Sequence, residues 1–483
     1  MNRKTATILA VAAGLVAAAV ILSQRAKGRA IADPADPGAD IIGAPIPGTC
    51  AATGRPARHR ADFAHGSLTA ALSSTRVLAA GGGEMWVAVD IAARDAVGQS
   101  RPPMNLAIVI DRSGSMDGDK LEQARQAAAG IVARLGEKDR VALVQYDDDA
   151  QVVVPSATMD ETGRARLLAA IGSLTTGGST NLESGMQLGV GEVSRELAAG
   201  RINRVILLSD GLANVGVVDG PTIARSAGAF AEKGVRITTV GVGLDYNEDL
   251  MEAIAESGRG NYYFVKDAMG LDAVFAGEIR AMQATVATHT QLRLEPACAG
   301  VEILEVYGYD SRKDGGAQVV PMADLFGGDR RKVVVRLRVP AAAAGKLDVL
   351  SARLAYDDAA TGAHMVSAVA LGVVVTADAD AVAAGADKDV MSQVVQVESA
   401  RAKREAAHRY DRGDVIGAQS LLKQQRANVA NQARLYALPP EATAPVYDEI
   451  DSQVGGQGRY APESAEGKAL VKGSKAASRK MSK

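Results

Sequence analysis

Four short apolar runs, at residues 106–110, 141–145, 205–208 and 237–240, carry almost no polar alternation. A strand with one wet face alternates polar and apolar residues, so runs like these must be covered on both faces. Between them lie stretches of helical period at 120–135, 181–197, 222–233 and 248–256. In the first, Leu121, Ala124, Ala128, Ile131 and Leu135 recur at the spacing of one helix face. Strand–helix alternation of this kind predicts an α/β fold: a doubly wound, mostly parallel sheet between two helix layers. Ligands of such sheets sit at the carboxyl ends of the strands. The body so defined covers 103–286.

The flanks follow a different period. Residues 65–102 contain Met85-Trp86-Val87-Ala88-Val89-Asp90-Ile91 after a Gly81-Gly82-Gly83 turn signal. Residues 287–378 return to strand-like runs at 333–339 and 347–354, separated by Pro and Gly turns. Together the flanks predict an antiparallel β-sandwich into which the α/β body is inserted, with Trp86 in its core. Residues 388–437 turn helical about a Gly413-Asp414 turn, a helical hairpin similar to one tetratricopeptide unit. Residues 438–483, polar and rich in Gly, Ser and Lys towards the end, read as a disordered tail.

At the N-terminus, Asn2-Arg3-Lys4 precedes an uncharged apolar run at 6–22, and the chain turns polar at Ser23-Gln24-Arg25. Residues 1–30 therefore read as a signal or membrane anchor, and the Pro/Gly/Ala/Asp-rich stretch 31–64 as a flexible linker. The expected location is membrane-anchored, with the bulk extracytoplasmic, in the periplasm or at the cell surface. The two cysteines, Cys50 and Cys298, lack zinc-site spacing; in an oxidising compartment they could pair. The 54 basic and 56 acidic residues leave a net charge of −2, without the basic excess of a nucleic-acid binder.

The chemistry concentrates where the first apolar run ends. Leu106-Ala107-Ile108-Val109-Ile110 delivers Asp111, followed at once by Ser113 and Ser115, with Gly114 and Gly118 to fold the loop back. Gly177-Gly178-Ser179-Thr180-Asn181 opens a helix and offers the Thr180 hydroxyl, and the third run ends in Ser209-Asp210-Gly211. Three loops at one edge of a parallel sheet can converge on a single centre. Donors that are all oxygen suit a hard divalent cation, Mg2+ first, with Mn2+ or Ca2+ as alternatives. Asp147-Asp148-Asp149 reads as a solvated acidic loop, and the five histidines are scattered with no catalytic or zinc spacing.

This combination resembles the metal-ion-dependent adhesion site of von Willebrand factor A domains. Thr239-Val240-Gly241-Val242-Gly243, Glu248-Asp249-Leu250 and Gly260-Asn261-Tyr262-Tyr263 extend the likeness beyond the metal loops. The flanking sandwich is similar to bacterial surface or periplasmic proteins of this kind, and more loosely to inter-alpha-trypsin inhibitor heavy chains. The resemblance implies that Asp111, Ser113 and Ser115 are first-loop ligands, Thr180 the second-loop ligand, and Asp210 a ligand directly or through water. It also implies a protein partner whose Asp or Glu carboxylate completes the coordination, with no catalytic residues. Two alternatives are a cytosolic-facing adaptor to an AAA+-type chaperone or metal-insertion complex, and a metal-dependent hydrolase. Against the hydrolase, the chain has no Gly-x-Ser-x-Gly elbow, no His-Glu-x-x-His and no phosphate-binding P-loop.

Overall fold

The computed structural model describes residues 53–482 except 81, 96–100, 199 and 341. The expected signal or anchor at 1–30, Cys50 and most of the linker lie outside the described residues. No helix among the described residues is long and apolar enough to cross a membrane.

Four strands come first: β1 (Arg58–Phe63), β2 (Gly66–Leu72), β3 (Arg76–Leu78) and β4 (Gly83–Ala93). β1 corrects the linker reading for 31–64, because Arg58–Phe63 pairs antiparallel with β2. Its sequence RHRADF hides this: only Phe63 is buried, so the strand lacks the apolar alternation that would reveal it.

The α/β body follows. Its first half is β5 (Met104–Asp111), α1 (Asp119–Ala133), β6 (Arg140–Tyr146), β7 (Ala150–Thr158), α2 (Glu161–Gly172) and α3 (Leu182–Arg195). Its second half is β8 (Ile202–Ser209), α4 (Gly220–Glu232), β9 (Arg236–Val242), α5 (Glu248–Ser257), β10 (Arg259–Val265) and α6 (Leu271–Gln283). The strand order is β10-β9-β8-β5-β6-β7, parallel throughout except at the β6–β7 edge. β5 is buried along its whole length. Leu106, Ile108 and Ile110 pack on one face with α1 and α6, while Ala107 and Val109 pack on the other with α3 and α4. That two-sided burial is why the run has no polar alternation. The chain leaves β5 towards β6 on one side and returns to β8 on the other. The loops after β5 and β8 therefore diverge and open a crevice at the carboxyl edge.

The sandwich resumes with β11 (Thr285–Pro296), β12 (Glu302–Tyr307), β13 (Arg312–Asp314) and β14 (Ala317–Pro321). It ends with β15 (Leu325–Phe326), β16 (Arg330–Val339), β17 (Gly345–Asp358) and β18 (His364–Thr376). One sheet is ordered β1-β2-β4-β16-β12 and the other β13-β14-β11-β17-β18-β3, so both draw strands from each side of the inserted body. Leu68, Val87 and Leu337 of the first meet Leu292, Leu354 and Val369 of the second in one core. A buried ion network fastens the body to this sandwich: Arg204 on β8 reaches Glu278 on α6 at 2.6 Å and Asp324 at 3.0 Å, and Arg236 on β9 reaches Asp324 at 3.2 Å.

Five helices complete the chain: α7 (Ala379–Ala384), α8 (Lys388–Asp411), α9 (Val415–Leu435), α10 (Pro440–Arg459) and α11 (Ala465–Ser482). The α8 residues Val390, Met391, Val394 and Val395 cluster with Ala71, Ala88, Val334 and Tyr307, the outer side of the five-stranded sheet. Trp86 packs against this helical cluster, which corrects its placement in the sandwich core. The expected disordered tail at 438–483 is likewise corrected to α10 and α11. Val446, Ile450 and Val471 bury into the same cluster, and such sparse apolar positions among polar residues leave little periodic signal.

Candidate metal centre

β5 ends at Asp111, which is fully buried. The Ser113 N–H donates to its Oδ1 at 2.9 Å, and the Ser209 hydroxyl donates to its Oδ2 at 2.8 Å. Burial raises the Asp111 pKa to about 6, against the pull of the hydrogen bonds from Ser113 and Ser209. A carboxylate held this far from water is stabilised by a cation placed against it. Beside it the Tyr146 hydroxyl donates to the Leu208 carbonyl at 2.8 Å. Burial and the Asp111 charge push the Tyr146 pKa well up, so the phenol stays neutral.

The loops after β5 and β8 and the loop entering α3 are stitched together by backbone. The Gly114 N–H donates to the Gly178 carbonyl at 2.8 Å, and the Gly177 N–H to the Arg112 carbonyl at 2.6 Å. Gly118, at φ +75°, turns the chain into α1. A Cβ on Gly177 or Gly178 would lie 2.0 Å from a carboxylate oxygen of Asp147 or Asp148. Asp147 is buried and pairs with Arg112 at 2.6 Å. Asp148 and Asp149 are exposed, as a solvated loop requires, while the buried Asp147 braces the loop that carries Thr180. Thr180 is tied to the third loop: its N–H donates to Asn214 Oδ1 at 2.8 Å, and its carbonyl accepts from the Asn214 N–H at 3.1 Å.

The sequence-predicted donors meet at this edge. Ser113 Oγ and Ser115 Oγ are 3.2 Å apart, and the Ser115 hydroxyl donates to Asp210 Oδ1 at 2.7 Å. Gly211 faces Thr180 Oγ1 and Ser115 Oγ, at 3.3 and 3.5 Å from where a Cβ would sit. Thr180 and Asp210 are buried. Among the described residues no group of three or more His, Cys, Asp or Glu could hold a metal. A cation here must therefore rely on hydroxyls and water beside two carboxylates, a donor set that fits Mg2+, Mn2+ or Ca2+ better than zinc.

Sequence reasoning missed the residue that occupies Asp210. Lys120 Nζ lies 2.5 Å from Asp210 Oδ2 and 3.1 Å from the Ser115 carbonyl. Its one visible signal is electrostatic: a lysine in the first turn of α1 runs against the helix dipole and needs a local anion to explain it.

A doubly wound sheet with an Asp-x-Ser-x-Ser loop, a threonine loop and an aspartate loop at its switch point defines a class of domain that generally mediates protein–protein interaction, often through a metal. The chain contains a member of that class: residues 105–276 match the von Willebrand factor type A domain. The Escherichia coli protein YfbK, itself uncharacterized, is 35% identical over 227 residues, covering 47% of this chain and 39% of that one. Human inter-alpha-trypsin inhibitor heavy chain H4 is 28% identical over 166 residues, covering 33% of this chain and 18% of its own length. A solved von Willebrand factor type A protein from Catenulispora acidiphila superposes with a TM-score of 0.68 at 17% identity. It covers 87% of this chain and 98% of its own, a shared fold that takes in the flanking regions too.

Proposed function

We propose that this chain is a divalent-cation-dependent protein-binding module whose cation bridges to an Asp or Glu of a partner. Asp111, Ser113, Ser115, Thr180 and Asp210 would hold the ion, Mg2+ in the first instance. When bound, it supplies a Lewis-acidic coordination position that an external carboxylate can fill. The observation that carries the reading is the Ser113–Ser115–Asp210 hydrogen-bonded chain between the first and third loops, with the Thr180 hydroxyl of the second loop facing Gly211 beside Ser115. The three hydroxyl donors are neutral and leave a coordination position that an external carboxylate can fill.

The N-terminal apolar run supports a further reading, that residues 1–30 place the module outside the cytoplasm on a membrane tether. Protease added to spheroplasts, whose outer permeability barrier has been removed, separates it from a cytosolic adaptor: only a module outside the cytoplasmic membrane is digested. The metal reading is tested by thermal unfolding of the full chain with Mg2+, Mn2+, Ca2+ or EDTA, wild type against Asp111→Ala. The expected result is a cation-dependent rise in Tm, lost in the variant. Equal cation responses in both proteins would sink the assignment.

A further inference from the structure

Asp210 is the second carboxylate of the centre, and both of its oxygens are already engaged. Oδ1 accepts from Ser115 at 2.7 Å and Oδ2 from the Lys120 ammonium at 2.5 Å. The Asp210 side chain is fully buried, while Lys120 is about one-third exposed, held from the solvent side of the pair. Lys120 also touches the Ser115 carbonyl at 3.1 Å, and it lies beside Gly243, 3.9 Å from where a Cβ there would sit. The ammonium therefore stands at the same carboxylate and the same loop that a divalent cation would use.

Resting on the metal-site reading above, we propose that Lys120 is a built-in competitor that lowers cation affinity and couples it to the arrival of a carboxylate. Charge counting over the touching groups gives the logic. Asp111 and Asp210 contribute −2, and Lys120 returns the centre to −1. A divalent ion then leaves the loaded centre at +1, a charge that an incoming carboxylate cancels. Without Lys120 the loaded centre would be neutral and would have no such surplus to offer. The lysine thus weakens the cation alone and strengthens the cation–carboxylate pair, a coupling that linkage makes reciprocal.

The test is calorimetric titration of the full chain with Mn2+ alone, then with Mn2+ at matched free concentration in excess acetate. Wild type, Lys120→Met, the charge-keeping Lys120→Arg and Asp111→Ala are compared. Lys120→Met should bind Mn2+ about tenfold more tightly, as expected for removing one nearby like charge from a partly solvated site. Acetate should tighten Mn2+ binding in wild type and Lys120→Arg, and leave Lys120→Met unchanged. A lysine that merely braces the fold would shift neither quantity in this opposed way. If Asp111→Ala abolishes Mn2+ binding while Lys120→Met matches wild type in both titrations, the competitor role is overturned and the metal site stands. If Mn2+ binds none of the four proteins, or binds Asp111→Ala as well as wild type, the metal-site reading and this inference fall together.

Discussion

Lysines grip carboxylates at two places on the α/β body, and the two grips differ in kind. At the metal edge, Lys120 holds Asp210 from a partly open position, 35% exposed. At the start of α5, α11 delivers Lys472 and Lys475, 3% and 1% exposed, to the first turn of that helix. Lys472 Nζ donates to Glu248 at 2.7 Å and to the Tyr246 carbonyl at 3.1 Å, and stands 4.0 Å over the Tyr246 ring. Lys475 Nζ reaches Glu248 at 3.1 Å and Asp249 at 2.7 Å. These acids also sit at a helix N-terminus, where the dipole favours them. The contrast is between an ion pair for which the proposed cation would compete and one sealed as a structural clasp between the α/β body and the last helix.

The sharpest way to break the contrast is Glu248→Ala. Two buried ammonium groups would lose a shared partner, and removing one member of such a set costs about 3 kcal/mol. The expected result is a lowered urea midpoint that Mg2+ does not restore. A loss below about 1 kcal/mol would place the clasp among ordinary surface pairs.

Acid gives the next effect. Burial alone would raise Glu248, but the Lys472 hydrogen bond and the charges of Lys475 and Lys472 overcome it and hold the pKa at about 2, below the usual 4.5. Because the folded value is depressed, the clasp's contribution is complete above pH 4.5 and fades as pH falls towards 2. Limited acid proteolysis at the 460–464 connection ahead of α11 should therefore accelerate across that window, and less steeply in Glu248→Ala. Cleavage independent of pH there would show that α11 is held by its apolar contacts instead.

The same contrast explains what the sequence reveals. The positions of the candidate donors were legible because each ends a buried run or opens a helix, so Asp111, Thr180 and Asp210 fall at places the α/β pattern already defines. The clasp was not. Its partners lie more than 220 residues apart, and Lys472 and Lys475 stand in a stretch whose polarity reads as a tail. Only Leu470 and Val471 hint at a buried face. β1 and the edge strand β7 were obscured in a similar way: both carry mixed polarity, because an edge strand is covered incompletely. Lys120 and the Asp147–Arg112 brace are long-range charge pairings. The sequence names the charges but not their partners.

The smallest effect tests the comparison most directly. Without metal, Lys120→Met leaves the Asp210 carboxylate buried and short of its countercharge, though Ser115 still donates to it. A partner about one-third exposed is worth less than a sealed one, so the expected loss is about 1 kcal/mol. Here Mg2+ should act as it does not at the clasp. It replaces the missing charge, so the variant should gain more stability from Mg2+ than wild type does. Equal Mg2+ gains in Lys120→Met and wild type would mean that Lys120 and the cation do not share Asp210. The metal-edge lysine would then be as structural as Lys475, and the distinction between the two grips would dissolve.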